Sequence, residues 1–497
     1  MLVWYIETTF ILIESDIQSQ TVESWNNYKE SQSTNKERLC NNKEPQTKCQ
    51  KGTSMLLIQN GNVYDPASGT EGKRDILIAN GKIVLIRPGI SREDILRFVS
   101  EPENDVNGAQ VRTIDASGLA VMPGFIDTHS HFRDPGFPEK EDINTGAAAA
   151  ARGGYTTVIM MGNTKPPIDC PEILCDVLAR GAKTPIHVLS CANVTKGMRG
   201  EELTDFDVLR KNGAVCFTDD GKPVMNKELL RHALLWASKL DTPVSLHEED
   251  PAYVTNPGVN AGGKAAKALG LIGADRRAEY SLVARDTSMA AELNAPLCIQ
   301  HISAAESVGI VRKAREINPK IHAEATPQHF SLTEEAVLRK GTLAKCNPPL
   351  RLESDRMAII HGLMDGTIDI IATDHAPHTQ AEKSGEFIKA PSGMIGLETA
   401  FSLGLKYLVE PGYLSLMKYI ACLTANPADF YHLNAGRIAV GAPADLTIAD
   451  LSASWVVHLP FASRAQNSPF LGETLPGTIR CTIVNGKIVS SDGWASK

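Results

Sequence analysis

VMPGFIDTHSH, residues 121–131, is the stretch on which the fold turns. Its apolar first half reads as a buried strand, and it ends in two histidines two positions apart. Residues i and i+2 of a strand point to the same face, so one cation can draw on both His129 and His131. Asp127 and Arg133 share that parity. Seven further apolar stretches of strand length follow, each succeeded by a helical segment: YTTVIMM (155–161), IHVLSCANV (186–194), AVCFTDD (214–220), PVSLHEE (243–249), PLCIQHIS (296–303), IHAEATPQHF (321–330) and IDIIATDHAPH (368–378). Helical segments fall between them, such as NKELLRHALLWASKL (226–240) and SAAESVGIVRKAREIN (303–318), with apolar residues recurring at three and four. Strands alternating with such helices are repeated βα units. Eight of them predict an α/β protein, a parallel (β/α)8 TIM-like barrel. The doubly wound alternative would carry a GxGxxG after its first strand, and none is there.

Several of these strands end in residue types that ligate metals: His129 and His131, Asp219 and Asp220, His247, His301, and Asp374 with His378. Barrel enzymes build their sites at the C-terminal ends of the strands, where residues distant in sequence converge. The spacings fit, since His131 to Asp220 is 89 residues, about three βα units of roughly 30 each. A lone barrel histidine is more often a satisfied core residue. Its recurrence at successive strand ends argues for metal instead. Imidazole and carboxylate without thiolate suit Zn²⁺, although Mn²⁺ or Co²⁺ accept the same ligands.

Outside the barrel the vocabulary changes. LLIQNGNVYDP (56–66) and DILIANGKIVLI (75–86) are short alternating strands with Asn-Gly turns, and GAPADLTIADL (441–451) and CTIVNGKIVSSDG (481–493) share that vocabulary at the far end. The two ends are therefore expected to pair into one discontinuous β-sandwich, 55–121 with 436–497, around a barrel at 122–435. Residues 1–54 are polar after a short apolar opening, a composition expected to leave a disordered extension. With 497 residues, 42% of them apolar, the chain can bury a large core, and its net charge of −8 is spread without a basic run. Nucleic acid is thus excluded as a partner on charge. Ten cysteines without a CxxC pair argue against a zinc ribbon or disulfide framework and suit a cytoplasmic location. No segment has the apolar length of a membrane span, and the opening stretch lacks the features of a signal peptide.

The runs PGFIDTHSHFRDPG (123–136), GGYTTVIMMGNT (153–164), FTDDG (217–221), CNPPLR (346–351), ATDHAPH (372–378) and PSGMIGLETAF (391–401) resemble the signature blocks of bacterial class I dihydroorotases, in the cyclic amidohydrolase superfamily. The His-x-His is shared across that superfamily; FTDDG, NPPLR and DHAPH together are sharper. The resemblance runs from Met55 to the end and implies two zinc ions per subunit. His129, His131 and Asp374 would hold one and His247 and His301 the other, with a carboxylate from FTDDG bridging them. Asp220 is the expected bridge because it shares the parity of Cys216 and Thr218, with Asp219 as the fallback. Relatives such as hydantoinases bridge with a carboxylated lysine, but AVCFTDDG has no lysine within the strand and Lys222 lies beyond it.

The resemblance further implies Asp374 as catalytic acid/base and substrate contacts from His131, Arg133, Asn163, Asn347, His378, Ser392 and Gly393. Arg133 suits this role because its planar fork can bind a carboxylate bidentately; the alternative is a salt bridge to Asp127 or Asp134. Asp134, Gly162 and Ser392 depart from the residues usual in these blocks, and none is a metal ligand. The implied reaction is reversible cyclisation of N-carbamoyl-L-aspartate to (S)-dihydroorotate, in de novo pyrimidine synthesis. A homo-oligomer is also implied, with aspartate transcarbamoylase as a candidate partner. The competing readings are another cyclic amidase of hydantoinase, dihydropyrimidinase or allantoinase type, and an inactive paralogue serving as a partner subunit. TQAEKSGEFIKAPSG (379–393), rich in small and charged residues, is expected to form a mobile lid over the substrate.

Overall fold

The computed structural model describes residues 54–101, 104, 106 and 110–492, all within the compact unit Asn42–Lys497. The expectation of a disordered extension over 1–54 therefore falls, but for Ser54, outside the described residues.

Among the described residues sixteen strands follow in chain order: β1 (Ser54–Asp65), β2 (Thr70–Ala79), β3 (Lys82–Arg87), β4 (Gln110–Asp115), β5 (Ala120–Pro123), β6 (Phe125–Ser130), β7 (Tyr155–Met160), β8 (His187–Ala192), β9 (Ala214–Phe217), β10 (Val244–Leu246), β11 (Leu297–Ile299), β12 (Ile321–Ala325), β13 (Ile370–Ile371), β14 (Leu446–Val456), β15 (Thr474–Val484) and β16 (Lys487–Ser491). The strands β6 to β13 are the eight read from the sequence, paired parallel in chain order. A bridge between Ser130 and His375, just beyond β13, brings the last strand back to the first, and His131 N donates to His375 O at 2.8 Å. That closure makes the sheet a barrel. It also sets the ends of β6 and β13 side by side.

Strands buried on both faces read as continuous apolar runs, which is why β6 and β7 are buried at every position. The helices cover the outside with one face. In Lys227–Leu240 the buried residues are Leu230, Ala233, Leu234 and Ala237, spaced by three and four. Asn226 caps that helix by accepting from the backbone N–H groups of Glu228 and Leu229.

The chain ends form a second sheet. Its order is β16-β15-β14-β5-β1-β2-β3, with β4 alongside β1. The two ends meet where β14 pairs antiparallel with β5, Leu446 opposite Pro123 and Ile448 opposite Val121. Leu56, Ile58, Ile76, Ile78, Ile448 and Ile483 are buried in a core of its own. Between β14 and β15 the chain leaves this sheet, and residues 461–468 run against the barrel loops, where Glu398 accepts from Ala462 N and Glu141 from Arg464 N.

Among the described cysteines, seven are free thiols. No helix among the described residues is long and apolar enough to cross a membrane.

Candidate metal centre

Closure of the barrel brings the C-terminal strand ends together, and with them the six residues expected to ligate metal. His129 is the penultimate residue of β6 and His131 follows its end, Asp220 lies three residues past β9, His247 follows β10, His301 stands two beyond β11 and Asp374 three beyond β13. All six are buried. His129 Nε2 lies 3.4 Å from Asp220 Oδ1 and 3.6 Å from Asp374 Oδ1. His131 Nε2 lies 3.1 Å from Asp374 Oδ1 and 3.4 Å from Asp220 Oδ2. On the other side of Asp220, His247 Nδ1 and His301 Nε2 are 3.0 Å apart and stand 3.7 and 3.8 Å from Asp220 Oδ1.

These separations are those of a coordination shell. Ligands about 2.0–2.1 Å from a tetrahedral ion lie roughly 3.4 Å from one another. Two groups have their ligand atoms within 4.8 Å of one another, His129 with His131 and Asp220, and Asp220 with His247 and His301. Asp220 belongs to both. His129 Nε2 is buried, faces the cluster and hydrogen-bonds to nothing, an expensive arrangement for a ring nitrogen unless a cation completes it. The residues fit a metal site.

The second carboxylate of the pair is turned elsewhere. Asp219 accepts from the backbone N–H groups of Val194 and Thr195 at 2.9 and 3.1 Å and from the Thr195 hydroxyl. Burial pushes its carboxyl up to about 6 against those hydrogen bonds. Asp220 goes the opposite way: burial opposes its charge, but the imidazoles of His129, His301 and His131 hold it well below the usual carboxylate range. Asp374 is lowered likewise, burial again opposing and His131 leading the groups that prevail.

Backbone strain accompanies the cluster. His301, Asp374 and Arg133 adopt φ of +32°, +46° and +58°, values that side chains rarely take. The surrounding barrel holds them there.

A cavity of about 580 Å³ opens above the cluster. Of the expected site residues all but His129 line it, among them Arg133, Asn347, His378 and Ser392. Arg133 makes no salt bridge to Asp127 or Asp134: Asp134 pairs with Arg180 at 2.6 Å, and Asp127 accepts from Thr373 N at 2.8 Å. Arg133 Nε instead donates to Pro377 O at 3.3 Å. His378 Nε2 donates to Ser392 O at 2.8 Å, so it offers no acceptor to Arg133 Nη2 at 3.4 Å, and that end of the guanidinium is free to meet an anion. Burial and the nearby Arg133 hold His378 at about 3, a neutral imidazole. Ser392 Oγ donates to Asn347 Oδ1 at 3.0 Å.

Asn163 sits closer to the metal ligands than to open space. Its Oδ1 meets His131 Nδ1 at 3.0 Å and its Nδ2 donates to Asp220 Oδ2 at 3.0 Å. It therefore orients two expected ligands at once.

Two buried glutamates were not singled out in the sequence. Glu324 Oε2 faces His129 Nδ1 at 3.3 Å, while its Oε1 accepts from Thr128 Oγ1. Glu249 Oε2 faces His247 Nε2 at 3.2 Å. Each fixes the tautomer that turns the other ring nitrogen to the cluster. Glu249 was legible in principle, since His247-x-Glu249 repeats the two-residue spacing of His129-x-His131; a carboxylate inside the strand IHAEA, at Glu324, was the other signal.

Comparison with known proteins places this geometry. Residues 120–489 match the amidohydrolase family. The chain is 50% identical over 439 residues to a dihydroorotase of Clostridium acetobutylicum, covering 88% of this chain and 100% of that one. It is 49% identical to dihydroorotases of Clostridioides difficile and Streptococcus pneumoniae, covering 88% of this chain and 99% of each of those. Among solved structures it is similar to the L-hydantoinase (dihydropyrimidinase) of Arthrobacter aurescens, with a TM-score of 0.76 and 22% identity over 88% of this chain and 96% of that one. The D-hydantoinase (dihydropyrimidinase) of a Thermus species gives 0.73 and 23% over the same shares. At such identity the likeness shows the fold alone. Barrel, ligand cluster and relatives agree, and the chain belongs to the amidohydrolase family and, within it, to the dihydroorotases.

Proposed function

We infer that the protein is a metal-dependent dihydroorotase, interconverting N-carbamoyl-L-aspartate and (S)-dihydroorotate in de novo pyrimidine synthesis. The observation that carries this is identity near one half across the whole length of the dihydroorotases it matches. The full set of six ligand-type residues speaks against an inactive paralogue. A hydantoinase-like specificity has only the shared fold behind it.

The metal reading is two Zn²⁺ ions: His129, His131 and Asp374 would hold one and His247 and His301 the other, and Asp220 would serve both. When bound, such a pair supplies Lewis acidity and lowers the pKa of water towards ~7. The protein's own part is orientation and proton transfer. In hydrolysis, water oxygen bonds to the ring amide carbon derived from the β-carboxyl, and the bond from that carbon to nitrogen breaks. Asp374, ionised and beside His131, accepts the water proton on a carboxylate oxygen and returns it to the departing nitrogen. In cyclisation the same carboxyl group carries protons the other way as water leaves. Arg133 binds the substrate's α-carboxylate, with Asn347, His378, Ser392 and Gly393 around the ring.

The same reading has the protein working in the cytoplasm on a small molecule, as a homo-oligomer, with aspartate transcarbamoylase as the partner to look for by co-purification. The resemblance to dihydroorotases is the support for these points.

The decisive experiment combines metal analysis with turnover. Purified protein should hold two zinc ions per chain and cyclise N-carbamoyl-L-aspartate, lose activity to a chelator and regain it with Zn²⁺. Faster turnover of hydantoin or dihydrouracil than of dihydroorotate would sink the assignment.

A further inference from the structure

Behind the substrate side of the cavity lie two lysines with almost no exposure, Lys345 at 2% and Lys383 at 4%. Burying an ammonium group is costly unless its donors are met, and the usual answer is a carboxylate. Here the answer is backbone. Lys345 Nζ donates to Phe387 O, Ile388 O and Ala390 O at 2.8, 3.3 and 2.7 Å. Lys383 Nζ donates to Pro391 O and Gly393 O at 2.9 and 3.0 Å. All five carbonyls belong to residues 387–393, the second half of the segment whose composition suggested a mobile lid.

That stretch ends in the substrate contacts. Gly393 N donates to Lys345 O at 2.8 Å, so the lysine holds the segment through its backbone as well. Ser392 reaches Asn347 through its side chain and His378 through its carbonyl. Gly393 adopts φ +130°, and an added Cβ would stand 2.6 Å from Ala376 Cβ. The Lys345 stem is itself wedged in place, since a Cβ on Gly258 would meet its Cγ at 2.4 Å.

We propose that Lys345 and Lys383 are positioning residues of the active site: their ammonium groups gather the carbonyls of residues 387–393 and so fix Ser392 and Gly393 where the substrate is held. The proposal rests on the reading that Ser392 and Gly393 touch substrate. A segment tied in this way is an assembled wall of the site, and only its outer turn, near Ser384–Glu386, lies outside the two clamps.

The test uses the full-length, zinc-loaded enzyme with Lys345→Met, Lys383→Met and Lys383→Gln. Loss of charge-assisted hydrogen bonds that only position a binding wall should raise KM for dihydroorotate roughly tenfold or more, with kcat within about threefold of wild type. Zinc content should not change, and trypsin should cleave after Lys389 faster in the variants. Lys383→Gln, which keeps donors without charge, should fall between Lys383→Met and wild type, and it carries the test if the methionine variant fails to fold. A lowered Tm with KM unchanged would reduce the lysines to packing and overturn the proposal. Ser392→Ala and Gly393→Ala separate the two levels. If they raise KM while the lysine variants do not, the proposal alone fails; if they too leave KM unchanged, the substrate does not touch this wall and both readings fall.

Discussion

We propose that Asp220 is the residue on which the chemistry of the centre depends most directly, because it is shared by both groups that could hold a metal. An aspartate carries its carboxylate permanently, whereas a lysine bridge must first be carboxylated. With its pKa held low by His129, His301 and His131 against the opposing effect of burial, Asp220 is ionised throughout the neutral range. Apoprotein reloaded with Zn²⁺ in CO₂-depleted buffer should therefore recover full activity, and Asp220→Asn should lose zinc in a way that bicarbonate does not restore. Recovery that required bicarbonate would show a carboxylated lysine and remove Asp220 from the bridge. Asp374→Asn should keep the fold and lower turnover by at least the ~10² expected for a lost proton carrier; near wild-type turnover with zinc bound would refute that role. The sequence brought Asp220 forward only through its parity with Cys216 and Thr218. Asp219 was undecided because the chain leaves strand geometry after Phe217, where alternation no longer predicts direction. What separates the two is the backbone of Val194 and Thr195, which captures Asp219 from a neighbouring strand's loop, a partner that no local pattern reveals.

At the scale of elements, the eight barrel strands were legible because burial on both faces leaves long apolar runs. The segment 379–393 was not. Small and charged residues suggest mobility, yet its carbonyls are met by Lys383 within the segment and Lys345 from far outside it, and lysines are ordinarily read as solvated. The arrangement has a pH signature. Burial lowers Lys383 from 10.5 to about 8, with Lys345 lowering it further and Cys346 and Glu382 acting against that; Cys346 is pushed up to about 12 and Glu382 held down to about 2, so neither titrates nearby. As pH rises through about 8 the ammonium loses its charge and its hold on Pro391 and Gly393 weakens. KM for dihydroorotate should therefore climb above about pH 8 while kcat changes less, and Lys383→Met should show a raised KM without that inflection. Folding stability from this group runs the other way: between about 8 and 10.5 the unfolded chain binds more protons, so the contribution improves as pH rises. A wild-type KM that stayed flat as pH rose through about 8 would contradict the coupling of Lys383 to the site.

At the scale of the molecule, we propose the division read from the sequence, 55–121 and 436–497 as one part and 122–435 as the other, with a departure that the β pattern hid. Between β14 and β15 the chain crosses to the barrel and supports the active site. Asn467 Nδ2 donates to Ala376 O and Gly393 O, both at 3.2 Å, and its Oδ1 accepts from His378 N at 3.1 Å. One side chain from the C-terminal part thus ties the loop after β13 to the wall that carries Gly393. Ser463 and Arg464 reinforce the crossing through Glu141. The stretch ASRAQNSPF (462–470) has no alternation and reads as a plain connection, which is why its role was invisible. By contrast, removing residues 1–53 should leave turnover unchanged, because 88% of the chain already matches the full length of a dihydroorotase. Asn467→Ala should not be silent. It leaves a buried N–H without a partner and removes a donor from two carbonyls, at about 1–3 kcal/mol for each group left unsatisfied. Tm should fall, and because His378 and Gly393 are the groups released, KM should rise while zinc content and the far ligands His247 and His301 are undisturbed. Asn467→Asp tests the direction of the bonds, since it keeps the acceptor for His378 N but offers no donor to the two carbonyls, and should be at least as damaging as alanine. If both variants lowered Tm and left KM as it was, the C-terminal part would be holding the barrel together without shaping its site.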